Sequence, residues 1–199
     1  GTAALAAFGL CLRLHMLIFG PTMGFSVAGA AVVGQNIGAH QPGRASRAGW
    51  TASGMSFCVV AVIASFYWFG APWIIPIFND DPAVIAHGTT GLRWLSVSFV
   101  FMSVGMVLSF AMNGAGDTLR PMLITGVALL LFGLPLAYGL AHWWQSMQGV
   151  WVGVFGSNCL VGVLTAAVFY RGAWKEVGRR HAIREEALQQ ETLAEEEAI

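Results

Sequence analysis

Charge is what this sequence has least of. Lys, Arg, Asp and Glu make up 10% of its 199 residues, against 56% for the apolar types. A water-soluble domain normally carries about 25% charged residues, so this chain cannot cover itself with a soluble surface. Cysteine is scarce too: Cys11, Cys58 and Cys159 are scattered in or near apolar stretches with no metal-ligand spacing, and they are read as small core residues. Signatures of catalysis are missing. There is no paired-acid arrangement in a membrane cavity, no His-rich metal motif and no glycine-rich nucleotide loop after a strand. The expectation is a non-enzyme with no cofactor, no metal site and no nucleic-acid partner.

What the chain has instead is long apolar runs. Leu14–Gly34, Thr51–Phe78, Trp94–Met112, Pro121–His142 and Gln148–Tyr170 contain no Asp, Glu, Lys or Arg. About 20 apolar residues, rising about 1.5 Å each in a helix, match the hydrocarbon thickness of a bilayer. The fold class expected is all-α, a polytopic transmembrane bundle of about five spanning helices, with the lipid bilayer as its first partner.

The basic residues are placed unevenly. Arg44 and Arg47 follow the first run, Arg120 precedes the fourth, and Arg171, Lys175, Arg179, Arg180 and Arg184 follow the fifth. The loops NDDPAVIAHG and HWWQSMQG between them hold no Arg or Lys. Positive charge in short loops marks the cytoplasmic side, so alternate loops agree on a multi-pass protein of the cell membrane, of bacterial inner-membrane type, with a cytoplasmic C-terminus. Phe66, Trp68, Trp73, Trp143 and Trp144, with His142 beside them, suit an outer interfacial belt. Residues 1–172 read as the bundle and 173–199 as a charged cytoplasmic tail. The tail ends in Glu185, Glu186, Glu191, Glu195, Glu196 and Glu197, read as a solvated helix or a disordered segment. The chain opens without Met and without a signal peptide, as though inside a longer protein.

Several residues within the runs bear on packing and function. Gly20, Gly24 and Ala28 are spaced four apart, as are Gly149, Gly153 and Ser157, a spacing that lets helix backbones approach closely. Pro21 and Pro135 lie inside their spans and imply kinks, as hinges or as tolerated bends. Arg13, His15, Arg93 and Asn158 are the polar residues in or beside the runs; Arg13 and Arg93 are read as snorkelling to the outer interface. Met102, Met106, Phe110 and Asn113 fall at steps of four, four and three, so they share one helix face. A Met- and aromatic-rich face is pliable and suits assorted apolar ligands. These four are the candidate substrate-binding residues.

Two segments carry a family likeness. LAAFGLCLRLHMLIFGPTMGFSVAGAAVVGQNIGAHQPGRASRAG resembles the second-half helix pair of the multidrug and toxic compound extrusion (MATE) transporters, including a glycine-rich helix ending in Gly-Gln-x-x-Gly-Ala. FAMNGAGDTLRPMLITGVALLLFGLPLAYGL resembles their later Asn-Gly-x-Gly-Asp-Thr loop and Pro-started helix. The likeness covers residues 1–172. It implies the second lobe of a two-lobe transporter, incomplete at its N-terminus: the end of a seventh helix followed by helices eight to twelve. It further implies a secondary antiporter that exports cationic or amphipathic compounds in exchange for protons or sodium, with a missing N-terminal lobe as partner. One branch of the family keeps acidic cation ligands in the second lobe, including its tenth helix. The matching run, Trp94–Met112, has none, and Asp117 beyond it reads as a turn or cap residue, so the resemblance puts the coupling carboxylate in the other lobe.

Other readings remain. A lipid-linked-precursor flippase of the same superfamily requires a basic cavity, for which only Arg13 and Arg93 are available. A membrane-embedded transferase requires clustered acids or histidines at one membrane face, which the loops lack. A non-transporting assembly subunit is the remaining alternative.

Overall fold

The computed structural model describes the backbone of residues 2–197. The side chains of His181, Ala182, Glu185, Glu186, Gln189 and residues 191–197 fall outside the described residues. All six glutamates of the distal tail are among these, so their expected solvation lies outside what is described. The secondary structure is helical throughout the described residues: α1 (Thr2–Gly38), α2 (Pro42–Ile74, prolonged by a 3-10 turn Ile75–Ile77) and α3 (Pro82–Gly114) come first. α4 (Leu119–Gly126), a π-helical segment (Val127–Gly133) and α5 (Leu134–Trp144) together form the fourth span. α6 (Gln148–Arg171) is the fifth, and α7 (Trp174–Glu197) is the tail helix. Five helices are thus long and apolar enough to cross a membrane.

α1 is a single helix of 37 residues, about 55 Å long at the usual rise. The end of a preceding helix that the resemblance implies is not a separate element among the described residues. Nothing between Ala7 and Leu14 breaks a helix, because Arg13 alone interrupts the apolar run without interrupting the backbone bonds.

The turns are built by their local sequences. Asp81 caps α3, its Oδ1 accepting from Ala83 N at 2.9 Å, with Pro82 in the first turn where no N–H is needed. At the other end of α3, Gly116 takes φ +86°, its N–H bonds Asn113 O at 2.9 Å, and Asp117 N–H reaches Met112 O at 3.0 Å. This paired closure is the Schellman pattern, and it requires the left-handed conformation that glycine tolerates. Asp117, buried at 4% exposure, then turns to α4: its carboxylate accepts from Arg120 N at 3.4 Å and pairs with the Arg120 guanidinium. The cap role expected for Asp117 is what its bonds describe.

α3 lies at the centre. Its apolar window is 56% buried, against 11% for the fourth span. α1 and α2 pack on one side of it and α6 on the other, with the fourth span held by α6. Close backbone approach makes these seams. A Cβ on Gly34 would sit 2.8 Å from Gly114 O, and one on Gly114 would collide with Ala30 O, so the glycines of both family-like motifs meet where α1 crosses α3. Toward one end, Cys11, Ile18, Tyr67, Leu92, Phe99 and Trp151 form one apolar cluster. Val33, Ile37, Leu108, Met112, Phe169 and Trp174 form the other. Trp174 stacks on Phe169 at 4.7 Å and donates Nε1–H to Phe169 O at 3.0 Å, so the tail helix begins against the bundle.

The three cysteines are free. Cys11 is buried as expected, but Cys58 is exposed, a correction to its reading as a core residue. The aromatic belt residues Phe66, Trp68, Trp73, Trp143 and Trp144 are all exposed.

Candidate functional site

The face predicted on α3 opens onto a cavity. Met102, Met106 and Phe110, with Gly105 and Ser109, form one wall of a hollow of about 360 Å³. Thr125 of α4 and Leu129 of the π segment face them, and Ser157, Asn158 and Val161 of α6 close the third side. Asn113, the fourth candidate, is exposed and lines an adjoining hollow of about 550 Å³ together with Thr118 and Met122. Ser109, Phe110 and Thr125 line both, so the two hollows join. The structure thus brings all four candidates to one continuous surface. Thr125, Leu129, Ser157 and Val161 went unrecognised as site residues, because nothing in a single helix's periodicity says which residues of another helix stand opposite.

The surface is neutral: neither hollow has a charged lining residue. Its polar groups are hydroxyls and amides. Asn158 Nδ2 donates to Ser98 Oγ at 2.6 Å, tying α6 to α3 at the cavity wall. Ser157 Oγ–H is turned back to Val154 O at 3.0 Å.

The π segment has an identifiable cause. Pro135 has no N–H for Leu131 O, and its ring crowds that carbonyl. A wider turn relieves the crowding, and Leu134 N–H bonds Leu129 O, five residues back. At Pro21 the α-helix runs on without such a turn. The two prolines, equivalent in the sequence, therefore differ, and the π segment before Pro135 reaches the cavity through Leu129.

The remaining polar residues stand apart from the cavity. Arg13 is exposed on α1. His15 is half-buried, its ring 4.5 Å from Phe99, and its Nδ1 has no hydrogen-bond partner. Arg93 donates from Nε to Trp68 O at 3.2 Å. That carbonyl is the one Pro72 leaves unpaired, since Pro72 stands four residues on inside α2. Arg93, read from sequence as a snorkelling residue, therefore replaces a missing helix bond. Neither arginine lines the cavity, which leaves it without the basic lining that a flippase of anionic lipid precursors requires.

Five helices able to span a membrane, three of which line an amphiphile-sized neutral hollow, define a polytopic helical membrane protein. The MatE family model matches residues 1–139, and the chain belongs to that family. A probable multidrug resistance protein NorM of Thermotoga maritima is 28% identical over 181 residues, 88% of this chain and 38% of the relative. One of the same name from Aromatoleum aromaticum is 30% identical over 183 residues, covering 90% and 39%. The crystal structure of the eukaryotic MATE transporter AtDTX14 superposes with a TM-score of 0.84 at 21% identity, covering 92% of this chain and 41% of that one. The chain spans about two fifths of the length of the relatives it matches.

Proposed function

We propose that this chain is one lobe, the second, of a secondary active antiporter that exports cationic or amphipathic compounds in exchange for protons or sodium. The observation that carries the reading is the convergence of Met102, Met106 and Phe110 on one neutral cavity beside the π segment. Thioether and phenyl groups adapt to apolar bodies of varied shape, and the Asn158 amide offers one directional contact. The substrate's positive charge is met elsewhere, since no acid lines the hollow and Asp117 is committed to Arg120. The coupling carboxylate therefore belongs to the lobe that completes the transporter. Transport follows from two lobes rocking about a shared site, and the bulged fourth span is the yielding element on this side. The turns beside Arg44, Arg120 and Arg171 face the cytoplasm.

The test uses the full-length protein in efflux-deficient cells. Met106→Trp fills the hollow and should lower resistance to bulky amphipathic cations about tenfold, the scale of a lost apolar contact, while small cations are spared. Unchanged resistance to every compound at equal expression removes the cavity from the substrate path. Flux in liposomes under a proton or a sodium gradient alone decides the coupling ion.

A further inference from the structure

A second cavity, of about 340 Å³, lies at the opposite kind of place: outside the bundle core, between the α1–α2 turn and the first turns of α7. Ile37 and Pro42 supply apolar walls, and Lys175, Glu176 and Arg179 the charged ones. The charges do not cancel. Glu176 is shared by Arg179, at 2.9 Å, and by Arg180, at 3.2 Å. Of the lining residues, Lys175 and Arg179 set two cations against Glu176, a net of +1, and Arg180, outside the lining, adds a third cation on the same helix. Among the described residues Lys175 has no carboxylate partner; its Nζ stands 5.7 Å from the Trp174 ring centroid, a cation–π approach to the docked tryptophan, and the residue lines the cavity. The position is not accidental to the chain path. Gly172, at φ +74°, turns α6 sharply into α7, and Gly178 fits against Ala115 O and Ile37, where a Cβ would come within 2.8 Å of that oxygen. These two glycines and the Phe169–Trp174 stack fix the basic helix beside the α1–α2 turn.

Depth identifies the ligand. The charge-free runs end at Gly34 and Tyr170, and the cavity is lined by residues 37–42 and 172–179, about one to two turns beyond. That is headgroup level, where guanidinium and ammonium groups meet phosphate oxygens and apolar walls meet the glycerol end of an acyl chain.

We propose that the cavity between the α1–α2 turn and α7 binds the phosphate of an anionic phospholipid headgroup, with Lys175 and Arg179 as its ligands. Bound lipid pins the tail helix to the bundle at the membrane surface.

The full-length protein in neutral detergent is titrated with phosphatidylglycerol, phosphatidylcholine or inorganic phosphate, with binding read by native mass spectrometry and thermal unfolding. Phosphatidylglycerol should bind and raise the unfolding temperature, and the other two should not. Lys175→Gln and Arg179→Gln should each weaken phosphatidylglycerol binding about fivefold, the effect of one basic residue at a lipid surface. Arg184→Gln, an equal loss of charge on the same exposed helix outside the cavity, should leave binding unchanged. The lipid-free unfolding temperature reports whether each variant folds. Equal binding of phosphatidylcholine, an equal loss in Arg184→Gln, or no loss in both cavity variants overturns the site. Stabilisation by inorganic phosphate to the same extent overturns the lipid as its occupant.

Discussion

Gly20, Gly24 and Ala28 in α1 and Gly149, Gly153 and Ser157 in α6 carry the same four-residue spacing, and the fold treats them oppositely. A Cβ on Gly149 or Gly153 would collide with the backbone of the fourth span at Ala141 or Ala137. Ser157 is buried there too, against Gly133. A Cβ on Gly20 or Gly24 would meet no neighbouring helix within 4 Å, and Ala28 is exposed. Close approach is seen on α6 and, among the described residues, not on α1. Spacing of small residues makes close approach possible; whether it happens depends on which helix the chain brings alongside. The open face of α1 and the sealed face of α6 are two outcomes of one pattern.

The largest expected effect separates these faces directly. Gly153→Leu places a side chain where Ala137 Cα lies only 2.5 Å from the first added carbon. Separating the fourth span from α6 should cost about 3 kcal/mol or more, seen as loss of a monodisperse folded peak in size exclusion. Gly24→Leu should stay within about 0.5 kcal/mol of the parent, like a surface change. If Gly24→Leu is as damaging in the full-length protein, the open face of α1 is covered there, and the comparison becomes one between two packed faces made by different partners.

A smaller effect is expected where a polar contact rather than close packing joins helices. Arg93→Met leaves Trp68 O with neither a backbone nor a side-chain donor, and should lower stability by about 1–3 kcal/mol. Pro72→Ala restores the N–H, so in that background Arg93→Met should be nearly silent. The double-mutant cycle measures the coupling; additive losses would show that Arg93 acts through something other than the proline's carbonyl.

The smallest effect concerns the exposed charges of α7. Hydrogen bonds from Arg179 and then Arg180 hold the Glu176 carboxyl below its ordinary value of 4.5. A carboxylate depressed in the folded state stabilises it above the unfolded pKa, and that contribution fades as pH falls through the folded value. Backbone amide exchange in the first turns of α7, corrected for intrinsic rates, should quicken slightly below about pH 4.5. The change should be absent in Glu176→Gln, while α3 remains indifferent. An equal quickening in the Gln variant would remove Glu176 as the cause.

Much of this was legible beforehand, and unevenly so. Five apolar runs became five spans, yet their ends moved: Leu14–Gly34 grew to Thr2–Gly38 and Trp94–Met112 to Pro82–Gly114. An apolar run counts residues that suit lipid, whereas a helix continues until its backbone bonds are interrupted. Met102, Met106 and Phe110 were found because i, i+4 spacing is a property of one helix. Thr125 and Ser157 opposite them were not, since they arrive from two other spans. The bond Arg93 makes was hidden for the same reason: its partner carbonyl is 25 residues away, and only the packing of α2 on α3 joins them. The π segment has its cause in Pro135, but Pro21 shows that a proline alone does not specify the bulge.

The sequence by itself determined that the chain enters a membrane, how many times it is able to cross, which turns are basic and how those turns are capped, because these follow from transfer free energy and local backbone chemistry. Tertiary structure alone decided which small-residue stripe is sealed, which carbonyl Arg93 serves and what faces the methionines. The physical reason is that lipid tails and helix neighbours are about equally apolar, so hydropathy places a residue in the bilayer without saying what it touches there.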